Sequence, residues 1–351
     1  MRITHTRVLL LPLLFAPLLL SGQLEWNIVG RRPIPIADDA FTVARTMANG
    51  DVLLFSSRSA KVQRISPLLG GVHTFTATNI SELEGMKVNW LDDIASTPDG
   101  STFLPVIWRA SPRNTSFGLA VFDRNGAHRR MIRLQPPAEI RHFTITPSGG
   151  FVVLGLDPAF FRRQTSQCLL LHEYSADGSR IRSFSPCPEG LELLRPGQLQ
   201  PGPGYQWLKD EVDRGKVWVE SDHLYHLLPR SRSIRVFDLA GRMTRQIVME
   251  TPAFPETLRD TPSDARSDLA DAFMAGPDRI VALWSRTAEG GGRVARSRYL
   301  AIHNLSGKAI TPAALPSREQ MPIGSAASGS LLVIERLNGT YQLLTANPRI
   351  Q

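Results

Sequence analysis

Residues 97–100 read Thr97-Pro98-Asp99-Gly100, inside "IASTPDGSTFLPVI", and residues 146–149 read Thr146-Pro147-Ser148-Gly149, inside "FTITPSGGFVVLG". In both, a tight turn of small and polar residues leads into a short run of Val, Ile, Leu and Phe. With the glycine as anchor, the arrangement recurs at "MANGDVLLF" (Gly50), "VDRGKVWVE" (Gly215), "AGPDRIVALW" (Asp278 in the glycine's place) and "AASGSLLVIE" (Gly329). Successive anchors lie 50, 49, 66, 63 and 51 residues apart, which reads as one module used six times with insertions in the middle of the chain.

A second marker follows in the modules as "VFDRNG", "EYSADG", "VFDLAG" and "IHNLSG", with a looser version at "ISPLLGG". Asp123, Ser175, Asp238 and Asn304 each precede a glycine by three positions, at Gly126, Gly178, Gly241 and Gly307. A short polar side chain that accepts from the turn's own N–H groups, followed by a residue free to take positive φ, is the chemistry of a bulged hairpin. The flanking segments, among them "FVVLGL", "IVALWS" and "LLVIE", are short, rich in Val, Ile, Leu and aromatics and bounded by turns, so each module reads as about four antiparallel strands. "RVARSR" at 293–298 reads as a solvated loop, and "SDARSDLADAFM" at 263–274 is the best candidate for a helix.

Six such modules predict an all-β, six-bladed β-propeller of four-stranded antiparallel blades, an architecture that leaves few sheet edges exposed. A twin β-sandwich is the structural alternative. The chain stops after "SLLVIERLNGTYQLLTANPRIQ", leaving the last module without its outermost strand, while "QLEWNIVGRRPIP" before the first anchor is a spare one. Pairing the two closes the ring. Through its T-P-D-G and D-x-x-G turns the chain resembles six-bladed propellers of the NHL and TolB-like kind, over essentially all of residues 23–351. The resemblance implies architecture rather than activity, because such propellers include binding proteins, lactonases, lyases and dehydrogenases.

The first 22 residues, "MRITHTRVLLLPLLFAPLLLSG", have the pattern of a signal peptide: Arg2, His5 and Arg7, then a 13-residue apolar run from Val8 to Leu20, then Ser21 and Gly22. The run is short for a bilayer span, which predicts export to the periplasm or the extracellular space; retention as an anchor is the other reading. The rest is expected to be one domain, residues 23–351, without a transmembrane segment and monomeric. With 42% hydrophobic residues and few cysteines, neither a disordered chain nor a disulfide mini-protein fits. The net charge of +8 does not point to nucleic acid: only five of the 40 basic residues are lysine and the arginines are dispersed. Cys168 and Cys187 flank a predicted hairpin whose turn is at Ala176–Gly178, and a one-residue slip at Pro186 brings them within disulfide range.

Aligned on the anchors, the position seven residues upstream reads Val43, Asp93, His142, Leu208, Asp271 and Pro322, and the position before it Thr42, Asp92, Arg141, Trp207, Ala270 and Met321. Asp93, His142 and Asp271, with Asp92 and Arg141 beside them, form the polar set that the repeat gathers from distant sequence at the mouth of a central channel. Carboxylates and an imidazole there suit a divalent metal or acid–base work; the bland reading is that they cap strands and pair with arginines. Six-bladed lactonases resembling gluconolactonase hold a metal at this mouth with Glu, Asn and Asp, a ligand set this chain does not reproduce. His223 and His226 sit on a predicted strand at a spacing that turns them apart, "GGG" at 290–292 reads as a loop tip, and Asn79, Asn114, Asn304 and Asn338 open N-x-S/T sequons. No cofactor is predicted. The expectation is a module that binds a protein, peptide or glycan on one rim, with specificity from the insertions at about 185–212 and 250–270. The competing expectation is a metal-dependent hydrolase or lyase at the channel mouth.

Overall fold

In the computed structural model the described residues are 24–34, 41–47, 50–66, 71–78, 80–111, 114–161, 167–189, 204–252, 266–276, 278–290, 293–314, 320–325, 330–337 and 340–350. They form a six-bladed propeller with four antiparallel strands to a blade. From the axis outward, blade 1 is Val43–Thr46, Val52–Ser56, Lys61–Ile65 and Val72–Thr76. Blade 2 begins with a split inner strand, Lys87–Trp90 and Ala95–Ser96, and continues as Thr102–Ser111, Asn114–Phe122 and His128–Arg133. Blade 3 is Glu139–Ile145, Phe151–Leu156, Leu169–Tyr174 and Arg180–Pro186; blade 4 is Lys216–Glu220, His223–Leu228, Ser233–Asp238 and Met243–Val248. Blade 5 is Arg266–Met274, Arg279–Gly290, Arg293–Asn304 and Ala309–Ala314. Blade 6 is Gln320–Ser325, Leu331–Leu337 and Thr340–Ile350, and its outermost strand is Leu24–Ile34, paired antiparallel from Leu24 opposite Ile350 to Ile34 opposite Tyr341.

In blades 1 and 4 the middle two strands are the most buried, and burial falls off to the outer strand. The second strands of blades 1 and 3, "VLLFS" and "FVVLGL", are buried at every residue because neighbouring blades cover both of their faces. This explains why they read as continuous apolar runs rather than alternating ones. The outer strands, such as Val72–Thr76 and Met243–Val248, are mostly exposed. Each blade interface holds its own apolar cluster, as with Leu53, Phe55, Leu104 and Phe122 between blades 1 and 2, or Leu54, Ile65, Leu332 and Leu343 between blades 1 and 6.

The two repeated turns do different work. The anchor turns join the first strand to the second, and there Thr97 and Thr146 carbonyls accept from Gly100 and Gly149 N–H at 2.9 Å. The marker turns join the third strand to the fourth. In one of them Asp123 Oδ1 accepts from Asn125 and Ala127 N–H, both at 2.9 Å. The glycine of each marker turn also presses on the outer strand of the preceding blade: Gly126 on Phe75, Gly178 on the Arg133 carbonyl, Gly241 on Arg182 and Gly307 on the Val248 carbonyl. A Cβ would collide at Gly126, Gly178 and Gly307, and at Gly241 it would crowd the Arg182 guanidinium.

Three segments differ from the sequence reading. In blade 4 the turn at Gly215 precedes the inner strand instead of following it, and the first-to-second-strand turn is Ser221-Asp222, both at positive φ. Leu208 and Trp207 therefore leave the channel ring. They lie on a helix, Gly204–Arg214, inside the insertion; Leu208, Glu211 and Val212 are its buried face, and fully buried Glu211 accepts from Arg230 and Ser231 N–H. The segment taken for a helix, 263–274, instead supplies the inner strand of blade 5 from Arg266 onward. "RVARSR" is not a loop but the returning strand of a long hairpin.

The turn glycines give a paired test. Gly149 has φ +81° with open space around it, whereas Gly178 has φ +91° and its missing Cβ faces the Arg133 carbonyl. Gly149→Ala is expected to cost about 1 kcal/mol, the penalty of a left-handed L-residue. Gly178→Ala is expected to cost about 3 kcal/mol, strain plus a collision that parts two blades. Equal losses on urea denaturation would refute the interlock.

Candidate functional site

The inner strands surround a cavity of about 910 Å³ lined by residues of all six blades. Every inner strand runs from the same mouth, called here the leading mouth, towards the opposite, trailing one. Near the leading mouth three inner strands lose regular pairing at equivalent places. Blade 2 breaks between Trp90 and Ala95, blade 3 has a bulge between Ile140 and His142, and blade 5 has one between Leu269 and Asp271. Bulges bend a strand and re-aim a side chain. These three turn Asp93, His142 and Asp271 to the channel, which is why the repeat alignment singled them out.

Asp93 is 1% exposed. Its Oδ2 accepts from Phe143 N–H at 2.7 Å, and its Oδ1 accepts from Ile94 N–H at 2.9 Å and lies 3.4 Å from Arg45 Nη1. Arg45, on the inner strand of blade 1, was not anticipated as a site residue. It donates to the carbonyls of Ile94 (2.8 Å), Phe143 (2.9 Å) and Val217 (3.2 Å), reaching blades 2, 3 and 4 from blade 1. His142 Nδ1 accepts from Val217 N–H at 3.2 Å, and its Nε2 is 3.7 Å from Asp93 Oδ1. Thus Ile94, Phe143 and Val217 each have both backbone groups bonded by these three side chains. Asp271 closes the next interval: Lys216 Nζ of blade 4 lies 2.5 Å from its Oδ2, and Ala272 N–H donates to Oδ1 at 2.8 Å. Thr46 Oγ1 donates to the Ile323 carbonyl at 3.3 Å and joins blade 1 to blade 6.

The remaining expected residues separate. Asp92 is exposed, lines the leading mouth, and makes no ion pair or hydrogen bond recorded among the described residues. Arg141 is the extra residue of the blade 3 bulge and turns away from the channel lining. It pairs with Glu139 and, Nε to Oδ1 at 3.0 Å, with Asp213 of the helix. His226 is fully buried with Nδ1 2.8 Å from Ser185 Oγ, while His223 is exposed at the start of the strand; the two do not converge. Cys168 and Cys187 are bonded, with Cα atoms 5.5 Å apart. Asn304 holds its turn through Ser306 and Lys308 N–H; Asn79, Asn338 and the tip 291–292 lie outside the described residues.

Burial lifts Asp93 above the usual carboxylate range against the pull of Arg45 and the two backbone donors. Burial, then the charges of Arg45 and Lys216, hold His142 well below the ordinary imidazole value. The donor set does not fit a divalent ion. Asp93 has both oxygens bonded, His142 Nδ1 is taken, and the positive charge beside Asp93 and Asp271 comes from Arg45 and Lys216. Among the described residues no group of three or more His, Cys, Asp or Glu side chains has a metal-holding arrangement.

Two predictions follow from this network. Asp93→Ala leaves Arg45 without its carboxylate and two N–H groups bare, and is expected to cost about 3 kcal/mol or more. Asp271→Ala, beside a Lys216 side chain that is 38% exposed, is expected to cost about 1 kcal/mol or less on the same urea measurement. Burial also lowers His172 to about 4 and His226 to about 3, and it holds His303 and His142 below the ordinary imidazole value. A folded-state value below the unfolded one gives stability that is present above about pH 6.5 and lost on acidification towards the folded values. The melting temperature should fall between pH 7 and pH 4, and His226→Gln should flatten part of that slope. An unchanged slope would overturn the assignment.

No protein-family model matches the sequence, and no curated protein does. A DUF4221 family member from Bacteroides vulgatus is 8% identical over 94% of this chain and all of that one, with a TM-score of 0.56. It shows the same fold. Virginiamycin B lyase from Staphylococcus aureus is 10% identical over 92% of this chain and 99% of that one, with a TM-score of 0.45. The Pan2 WD40 domain of Neurospora crassa is 11% identical over 93% and 97%, with a TM-score of 0.47.

Proposed function

We propose that the protein is an exported, monomeric binding module that receives a protein, peptide or glycan at the leading mouth of its channel. The observation that carries this reading is the commitment of the three channel residues that the repeat brings together. Asp93, His142 and Asp271 are committed to bonds between blades, so none is left as a free base, nucleophile or metal ligand, while the cavity beside them stays open. Export rests on the pattern of residues 1–22. Among the described residues no helix is long and apolar enough to cross a membrane.

The position of the insertions supports the same face. A connection from the outer strand of one blade to the inner strand of the next crosses the leading side, and the long ones precede blades 4 and 5. Of the expected insertions, residues 190–203 and 253–265 lie outside the described residues, and the helix Gly204–Arg214 is the part described. Around the mouth the charges are partly exposed: Arg214 Nη1 is 3.7 Å from Asp268 Oδ2, and Asp92 and Arg298 lie nearby. A rigid scaffold that presents mixed charge around an opening suits recognition.

Purified protein applied to glycan and peptide arrays should give a saturable ligand whose binding falls at least tenfold in Asp92→Arg, a change at the mouth outside the inter-blade network. Turnover of a lactone or ester panel, or a stoichiometric divalent ion that is lost in Asp93→Ala and Asp271→Ala, would replace this reading with the hydrolase or lyase one.

A further inference from the structure

We infer that the ligand is a short peptide with both ends free, its ammonium held by Asp92 and its carboxylate by Arg298; this rests on the binding reading above and gives it a ligand chemistry. In blades 1, 2, 3, 4 and 6 the described cavity lining comes from the inner strand and the residues flanking it. In blade 5 it also takes in Leu283 and Ser285 of the second strand and Arg298 of the third. Asp268, Ser285 and Arg298 lie on one rung of this sheet, each paired through its backbone with the next. The cavity therefore has a recess that runs along blade 5 away from the axis, with a hydroxyl and a guanidinium in it.

The charges around the cavity divide into two groups. Those of the inter-blade network are paired with one another, and Arg214 is paired with Asp268. Asp92, Glu220 and Arg298 line the cavity as exposed residues whose side chains have no ion-pair or hydrogen-bond partner among the described residues. Glu220 ends the inner strand of blade 4 at the trailing mouth. The leading mouth is left with one unpaired charge of each sign. Asp92 sits in the break of the blade 2 inner strand, and blades 2 and 5 stand opposite one another in a ring of six.

An anion and a cation on opposite sides of an opening select a ligand that carries both charges at a set spacing. A polyanion would pair with Arg298 and meet Asp92, and a polycation would do the reverse. A neutral sugar would strip water from both side chains and neutralise neither. A peptide with free ends supplies an ammonium for Asp92 and a carboxylate that suits the two-pronged guanidinium, with the Ser285 hydroxyl beside it. The cavity volume, about 910 Å³, falls within the roughly 300–1,000 Å³ of small-ligand pockets, which favours a short peptide over a folded partner.

Synthetic peptides of two to six residues with uncharged side chains test this by calorimetry on the purified protein. They span from about 7 to about 20 Å when extended, and each is made with free ends, N-acetylated and C-amidated. Free-ended peptides should bind, with one length favoured and more weakly at high salt, and either cap should cost tenfold or more. Asp92→Asn should bind free-ended and acetylated peptides alike, and Arg298→Gln free-ended and amidated ones alike, at unchanged melting temperatures. Asp92→Arg combined with Arg298→Asp should restore the binding that Asp92→Arg alone loses, because a peptide can turn end for end. The inference is overturned if no free-ended peptide binds, if capped peptides bind as tightly, or if both single variants keep the native preference for free ends. Peptides that fail beside an array glycan or protein still sensitive to Asp92→Arg remove the peptide assignment alone. If nothing binds in either experiment, the binding reading falls as well.

Discussion

A closed ring of strands has one set of edges it cannot pair: those that face its own axis. In this protein the guanidinium of Arg45 answers that constraint for half of the ring. It crosses the channel to the carbonyls of Ile94, Phe143 and Val217, while Asp93 and His142 take the N–H groups of the same three residues. Buried backbone groups need partners, and here side chains stand in for the missing neighbouring strand. The carboxylate that balances Arg45 and the neutral imidazole beside it follow from that arrangement. A polar cluster in a cleft, with perturbed proton affinities, is often a reaction centre. This one is a hub of the architecture.

Much of the ring was legible in the sequence because it is written in local chemistry. A turn needs a short acceptor side chain and a residue at positive φ, and the marker turns at Asp123, Ser175, Asp238 and Asn304 announce both. Ring closure was legible too, since a strand short at one end and a spare strand at the other are visible as sequence. Blade 4 was misread for the same reason the others were read correctly. Gly215 followed by "KVWVE" has the local form of an anchor, but the helix before it shifts the strand by one place in the blade. The prolines and glycines of "RPGQLQPGPG" hid that helix, although Leu208, Glu211 and Val212 have helical spacing.

The channel was half legible. Aligning the modules found Asp93, His142 and Asp271, because each follows an irregularity at the same height of its blade. It missed Arg45, which lies two places beyond ring residue Val43 and so belongs to the same face of its strand. Residue type alone did not reveal that the carboxylates already had cations and N–H donors assigned to them; that information lies in contacts between blades. The two kinds of turn glycine were indistinguishable in sequence as well. Gly149 has open space around it, whereas Gly178 is wedged against the preceding blade.

The closing strand sets an order of events. Residues 24–34 leave the ribosome before the blades do, and their partner, Thr340–Ile350, follows every other described strand. Loop-closure entropy rises slowly with length, by about 0.6 kcal/mol for each doubling, so joining such distant segments costs little in stability. It costs time instead, because non-local pairing is slow to find. The early strand must wait unpaired until Thr340–Ile350 has been made, and only then can the ring lock.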